Sequence, residues 1–588
     1  MRTVSKTPAR LLLVALSVAG SSAALAAHGN AKASTPATGA TRAPVSRASG
    51  AYALATISTK PGASQPNADP NATLTLNLGN EVASADPQVL NGINEIAVAS
   101  SVFVPLLALT TNDKVASAGA TRMDVSADGK TYTFTLRPGM AYTDGKPVTA
   151  ADYAYAIKRA CDPVVGGNYS NIVFDVVGCA EWRSADTSKT STSGLRHLAQ
   201  TVDNAITALD ASTLRIRLKQ AAGYFPYVMT TWITFPSRPD LVQKGGANWW
   251  KNPHYYIGDG PFKLASWTPN QQWVFTRNDT YFRGKPGIKT LVDKEISSSQ
   301  TQLLAYTQGQ FDAIGPDPTL LPQIESNGAL KQQLLRTVNA ETTWLSFNNA
   351  VAPFNNIKVR QAIADALDRQ RYINQVANGV GKPAGSLLYP GIPGYQAGTQ
   401  QAYAPSKAQS LLAQAGYPHG RGFPTQQLRY ASDNPASKQR ATFWAQDLKQ
   451  ALNIDIQPTP MDAAQLQKME FNRDPSLTLY FGDWYQDYPH PQDWLTLVFA
   501  NGSTRAPNGW NDAHFNALVN KADQLPIDQA APLYQQADAY LATQAPVAFY
   551  LHDESLVLVK PTIKGYVNYP ADLFDTTFQV EKIYKIKS

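Results

Sequence analysis

Charge is sparse in this chain and cysteine nearly absent: charged residues make up 16%, and Cys161 and Cys179 are the only cysteines among 588 residues. Neither cysteine has a histidine near it in sequence, so a catalytic thiol is not expected. The seven histidines are scattered, and none stands with another ligand at a metal spacing such as H-E-x-x-H. No G-x-S-x-G nucleophile elbow occurs. Gly379-Val380-Gly381-Lys382 is a Gly-rich turn without the spacing or the hydroxyl residue of a phosphate loop. Lys and Arg outnumber Asp and Glu by 51 to 44, a formal charge of +7, yet they are dispersed and leave no basic stripe for nucleic acid. Beyond the N-terminus no apolar run is long enough to span a membrane. These absences predict no cofactor, no metal and no nucleic-acid partner. Carboxylate pairs of the glycosidase kind stay open, because their separation is spatial.

What is present begins with an export signal. Arg2, Lys6 and Arg10 precede the apolar Leu11–Ala19, and Ala24-Leu25-Ala26 supplies a small-x-small cleavage pattern, so residues 1–26 read as a signal peptide. No cysteine follows to carry a lipid. An uncleaved anchor is the alternative, but Leu11–Ala27 is shorter and richer in Ala and Ser than a span of about 20 residues. The protein is expected outside the membrane, in a periplasm or at the cell surface, as a monomer. Residues 27–71, rich in Ala, Ser, Thr, Pro and Gly, read as a flexible spacer. Export permits a Cys161–Cys179 disulfide, and Gly166, Gly167 and Asn168 let the segment between them turn back. Two free thiols are the alternative.

The rest of the chain exceeds one hydrophobic core. Period-two alternation marks strands at Ala72–Leu78, Tyr132–Leu136 and Leu214–Leu218. Phe262–Trp267 and Trp273–Arg277 read as a hairpin. Thr149-Ala150-Ala151-Asp152 has the form of a capping box, and the helix it starts carries Tyr153, Ala156, Ile157 and Ala160 at helical spacing. Thr343–Phe347 reads as a strand, Ile357–Ile363 as the start of a helix, residues 437–451 as a helix and Pro546–Leu551 as a buried strand. Helical and extended segments mix throughout, as in an α/β protein.

The stretch with the most chemistry is Phe481–Leu495, FGDWYQDYPHPQDWL. The apolar Leu477–Phe481 before it reads as a strand, and Tyr488-Pro489 and His490-Pro491 turn the chain away from helix. Trp484, Tyr485 and Asp487 are then expected just past a strand end, where open α/β sheets bind ligands. A carboxylate among aromatics can hold an ammonium group by a charge-assisted hydrogen bond while the rings cover it. An acidic turn beside ordinary core aromatics is the other reading of these residue types.

Trp484, Asp487, Tyr488, Pro489 and Pro491 resemble the Trp-x-x-Asp-Tyr-Pro-x-Pro loop of the bacterial extracytoplasmic solute-binding proteins that serve oligopeptide and dipeptide ABC importers. Other blocks recur in family order: Tyr142–Pro163 (YTDGKPVTAADYAYAIKRACDP), the segment from Gly258 to Phe262 with Arg277–Pro286, and Asn349–Ile363, where Asn356 replaces the usual Asp. The resemblance implies a bilobal periplasmic-binding-protein-like fold with a hinge, of the large family-5 type with an extra subdomain. On that pattern residues 72–340 form lobe 1 with the subdomain, residues 341–551 lobe 2, and residues 552–588 return to lobe 1. It also implies no enzymatic activity, a peptide or other small solute as ligand, and the membrane subunits of an ABC importer as partners. Asp487 would pair with the peptide amine, Trp484, Tyr485 and Tyr488 would line the cavity, and the chain at Glu81 and Val82 would run along the ligand. Tyr169 stands roughly where some relatives place a ligand-contacting tyrosine. No counterpart is found for the basic residues that fix a peptide carboxylate, and the aromatic loop would suit sugars too.

Overall fold

Short alternating stretches build the first half of the chain into strands: β1 (Gly50–Ala51), β2 (Thr73–Asn77), β3 (Ala120–Val125), β4 (Thr131–Leu136), β5 (Ile206–Ala208), β6 (Thr213–Arg217), β7 (Phe262–Thr268), β8 (Gln272–Arg277) and β9 (Thr290–Lys294). The computed structural model describes residues 50–57, 61–165, 167–397, 401–432, 435–503, 505–566 and 580–587, all within one unit, Arg47–Ser588. The signal peptide and residues 27–49 of the expected spacer lie outside the described residues. Strands β1-β3-β4-β6-β5 form a five-stranded sheet and β2-β9-β8-β7 a four-stranded one. In β4 the alternate residues Tyr132, Phe134 and Leu136 are buried, as a pleated strand with one covered face requires. Helix α1 (Ile93–Val102) supplies Ile96, Val98 and Val102 to the core of the four-stranded sheet. At the start of α2 (Ala150–Ala160) the Asp152 carboxylate accepts from the Thr149 amide and hydroxyl, both at 2.8 Å. That is the capping geometry the four residues predict, and it directs Tyr153 and Ile157 into the core of the five-stranded sheet.

The spacer expectation needs correction over its described part. Gly50 pairs with Val125, Tyr52 and Leu54 pack on the first core, and the Asp69 amide donates to the Lys585 carbonyl at 2.7 Å. Averaged composition hid these few apolar anchors.

The second half is organised on a seven-stranded sheet. Its strands are β10 (Ala313–Ile314), β11 (Leu334–Phe347), β12 (Lys382–Pro383), β13 (Gln426–Ala431), β14 (Ile456–Met461), β15 (Leu479–Tyr485) and β16 (Val547–Val559). The order is β10-β16-β11-β15-β13-β14, with β12 beside β16. Successive side chains of β11 point to opposite faces. Leu345 and Phe347 therefore join a core with helices α3 (Ile357–Ala366) and α4 (Pro435–Leu452). Trp344 joins another with α5 (Pro491–Phe499) and α6 (Ile527–Gln544).

These separate cores make the molecule a bilobal α/β protein. β11 and β16 are far longer than the apolar runs that announced them, at 14 and 13 residues. Polar residues such as Arg336, Asn339, Glu341 and Glu554 break the hydropathy pattern; the ladder runs from Ser346↔Val547 to Leu334↔Leu558 through Arg336 and Glu554, and is interrupted between Val338 and Thr342 and shifted between Thr343 and Trp344. Past β16 the chain rejoins the first lobe, where Ile563, Val580 and Ile583 share a core with Leu74 and Leu291.

Candidate ligand-binding site

β15 runs on past Phe481 to Tyr485, and its register on β11 sets Trp484 opposite Thr342 and Tyr485 opposite Glu341. Trp484 and Tyr485 are therefore strand residues, a correction to the sequence reading, and Asp487 alone of the three lies beyond the strand end. Aromatic residues fit a pleated, half-buried surface, so the strand ends later than its aliphatic run. Gly482 sits opposite Trp344, and a Cβ there would meet the indole Nε1 at 2.4 Å. The bare backbone lets that indole lie across the strand. Downstream, Pro491 starts a helix instead of preventing one. It occupies the first position of α5, with the His490 Nδ1 accepting from the Gln492 amide at 3.2 Å. Proline's fixed φ suits that position, where its missing N–H costs nothing.

This helix carries a residue that sequence reading missed. Asp493, in the first turn of α5, is completely buried. Its Oδ2 accepts from the Trp484 indole N–H at 3.2 Å and from the Asp487 amide at 3.0 Å. Asp493 thus ties the strand-borne tryptophan to the turn that bears Asp487. The available signal was a carboxylate just inside a helix opened by proline, where an anion meets exposed N–H groups. Arg505 was also missed; its guanidinium lies 5.5 Å from the centre of the Trp484 ring.

The other lobe supplies Tyr169. It lies on a 3-10 turn, Asn168–Val173, between the two cysteines, whose sulfurs are bonded at 2.02 Å. Its ring stands edge-on to Trp232 at 5.3 Å, and its hydroxyl donates to the Asp487 carboxyl. The turn is pressed so closely onto the Gln88 carbonyl that a Cβ on Gly167 would fall 2.1 Å from that oxygen.

Burial pushes the Asp487 carboxyl upward, while the Arg505 charge and the Tyr169 hydrogen bond hold it down. Burial also pushes Asp493 up, and the Asp487 charge adds to the rise. The Asp487 charge and burial together push the Tyr169 phenol up. Asp487 Oδ2 and Asp493 Oδ1 are buried atoms with no hydrogen-bond partner among the described residues.

The structure therefore brings Asp487, Trp484 and Tyr169 together and leaves Tyr485 half-buried on the adjoining strand edge. It places three other candidates differently. Tyr488, expected to line a cavity, is 1% exposed, and its ring lies in the core of the five-stranded sheet. The turn after Asp487 drives it inward, and its hydroxyl donates to Gln492 Oε1 at 2.5 Å. His490 behind it is wedged among Tyr224, Tyr227 and Tyr534, and burial pushes its imidazole down to about 3. The Val82 side chain is core, and its amide donates to Glu295. The Glu81 carbonyl accepts from Asn94 Nδ2 at 3.1 Å, and its carboxylate accepts from the Asn270 amide. Among the described residues, neither Glu81 nor Val82 shares a hydrogen bond or ring contact with Asp487. No group of three or more His, Cys, Asp or Glu is placed among them to hold a metal ion, and no helix there is long and apolar enough to cross a membrane.

A family model described as bacterial extracellular solute-binding proteins, family 5 Middle, matches residues 105–505. The chain belongs to this family of binding proteins. It is 25% identical over 505 residues to the oligopeptide-binding protein OppA of Bacillus subtilis, covering 82% of this chain and 88% of that one. It is 27% identical over 536 residues to the periplasmic oligopeptide-binding protein OppA of Salmonella typhimurium, covering 88% and 93%. The crystal structure of Haemophilus influenzae OppA in complex with RPPGFSPFR superposes with a TM-score of 0.72 at 23% identity, covering 88% of this chain and all of that one.

Proposed function

We propose that the protein captures short peptides outside the membrane and delivers them to the membrane subunits of an ABC importer, without catalysing a reaction. The observation that carries this reading is the half-buried Asp487, whose Oδ2 is buried and unpartnered and which lies between Tyr169 of one lobe and, through Asp493, Trp484 of the other. A buried carboxylate needs a positive or hydrogen-bonding partner, and a peptide's α-ammonium group supplies both. Trp484 covers the ligand beside the amine, Tyr485 borders it, and Tyr169 closes over it as the lobes move about β11 and β16. Tyr488 and His490 act as packing between the lobes rather than as ligand contacts. Main-chain pairing of the ligand near Glu81 and Val82 requires exchange of their present partners, Asn94 and Glu295. The oligopeptide-binding relatives support peptide as the ligand class, and the N-terminal sequence supports export.

Thermal unfolding of the mature protein tests the reading. A ligand bound only by the folded state raises the melting temperature. Short peptides with a free amine are expected to raise it, and their N-acetylated forms are not. A shift with oligosaccharides or acetylated peptides alone would overturn the peptide-amine reading and leave another solute as the ligand.

A further inference from the structure

Asp487 does not stand alone. Behind it, on a different element, Asp493 lies completely buried, with Oδ2 held by the Trp484 indole and the Asp487 amide and Oδ1 unpartnered. Two carboxyl groups this close and this dry cannot both ionise cheaply. The groups facing the pair are Tyr169 from the first lobe, Arg505 from the loop after α5, Trp484 from β15, Tyr389 from the loop after β12, and the Tyr488 main chain and phenol between them. Asp483 lies further along β15, near enough to add its charge at Tyr169. Arg505 is the positive charge that acts on Asp487, and it acts on buried Glu470 as well.

Burial opposes ionisation of either carboxyl, and ionising one raises the cost of ionising the other. An ammonium group brought to the pair adds a positive charge that offsets that cost, so its arrival favours loss of a carboxyl proton. Both orphaned oxygens then become acceptors for the ammonium N–H groups.

Resting on the proposed amine-binding role of Asp487, we infer that Asp493 is a second carboxylate of the ligand site and that this pair exchanges a proton for the ligand's ammonium. In the balanced step the ammonium enters as R–NH3+, no covalent bond to carbon changes, and one carboxyl O–H bond breaks, releasing H+ to solvent. Asp493 also positions Trp484 and the Asp487 turn, so its loss has both an electrostatic and a geometric effect.

The test uses the full mature protein in weakly buffered solution with a pH indicator. The probe is an equimolar pool of free-amine tri- to pentapeptides, with the same pool N-acetylated as control and tryptophan fluorescence as the binding readout. The wild type is expected to release about one proton per protein at saturation with the free-amine pool and none with the acetylated pool. Its affinity should rise about tenfold per pH unit from pH 5 to 7, the slope that release of one proton requires. Asp493→Asn should bind more weakly, release no proton and lose the slope. Binding of the free-amine pool without proton release in the wild type would overturn the inference alone. Release unchanged in Asp493→Asn would move the proton to another group and overturn the role of Asp493. Equal binding of both pools, or binding of neither, would overturn the amine reading and this inference with it. If Asp493→Asn does not fold, the wild-type proton count and pH slope still decide.

Discussion

The two sides of the candidate site are held by different means. Asp487, Trp484 and Asp493 are fixed where a central strand of a seven-stranded sheet meets the first turn of a helix. Tyr169 sits on a short 3-10 turn outside any strand, packed against the cores of the five- and four-stranded sheets, clamped by the Cys161–Cys179 bond and pressed against Gln88. One side is a strand held in a ladder; the other is a turn without ladder bonds, held by packing on two cores and by a covalent clip. A closing site benefits from this division, since the fixed side selects the ligand and the clipped side meets it. Damage to the first should therefore abolish recognition, and damage to the second should weaken it while also costing stability.

The largest expected effect lies on the rigid side. Asp487→Ala removes the charge that faces the ligand amine, a loss of about 2–5 kcal/mol, or roughly thirtyfold or more in affinity. Calorimetric titration with a free-amine peptide checks it. On the clipped side, Cys161→Ala with Cys179→Ala frees the loop bearing Tyr169. For a loop of this size the chain-entropy account predicts roughly 3 kcal/mol of lost stability, measured by denaturant unfolding, with a smaller loss of affinity. An affinity loss equal to that of Asp487→Ala would show that the clipped side selects the ligand as strongly as the sheet does.

Next comes the pH response of the buried pair. Because burial raises the Asp493 carboxyl, the folded chain keeps its proton after the unfolded chain has lost it. The resulting stability is fully present below the ordinary carboxylate range near 3.8 and is lost as the pH climbs toward the raised value. Asn cannot ionise, so Asp493→Asn should lose less stability than the wild type as the pH rises from 4 to 8. Melting curves across that range, read as wild type against variant, isolate this group from the other buried carboxylates. The smallest effect is expected from Tyr169→Phe, which removes one hydroxyl donor to Asp487. A single such bond contributes about 0.5–1.5 kcal/mol, so affinity should fall two- to tenfold by the ordinary arithmetic of binding, with a small fall in melting temperature because the empty site already holds the bond.

The same contrast marks what the sequence could and could not reveal. Capping at Thr149 and Asp152, the hairpin at Phe262–Arg277 and the family loop around Asp487 are local patterns, readable because their partners are near in sequence. The length of β11 and β16 was not readable, since polar residues on both strands mask a ladder that only long-range pairing completes. Trp484 and Tyr485 were placed one element too late for a related reason: the strand continues in aromatics after its aliphatic residues stop. Nothing near Asp493 in sequence signals its burial, which arises only where helix α5 sets it beneath Trp484. Tyr488 matched a ligand-loop pattern, yet its ring fills the other lobe's core, a contact that spacing along the chain cannot disclose. Glu81 and Val82 were marked by family order alone, and their polar groups are engaged with Asn94, Asn270 and Glu295.

The central claim is that Asp487 recognises a ligand ammonium group. The most direct test is the affinity of one peptide and its N-acetylated form for the wild type and for Asp487→Ala, four titrations forming a cycle. The account predicts that the wild type prefers the free amine by about thirtyfold or more and that the variant binds both forms equally and weakly. An undiminished preference for the free amine in the variant would contradict it.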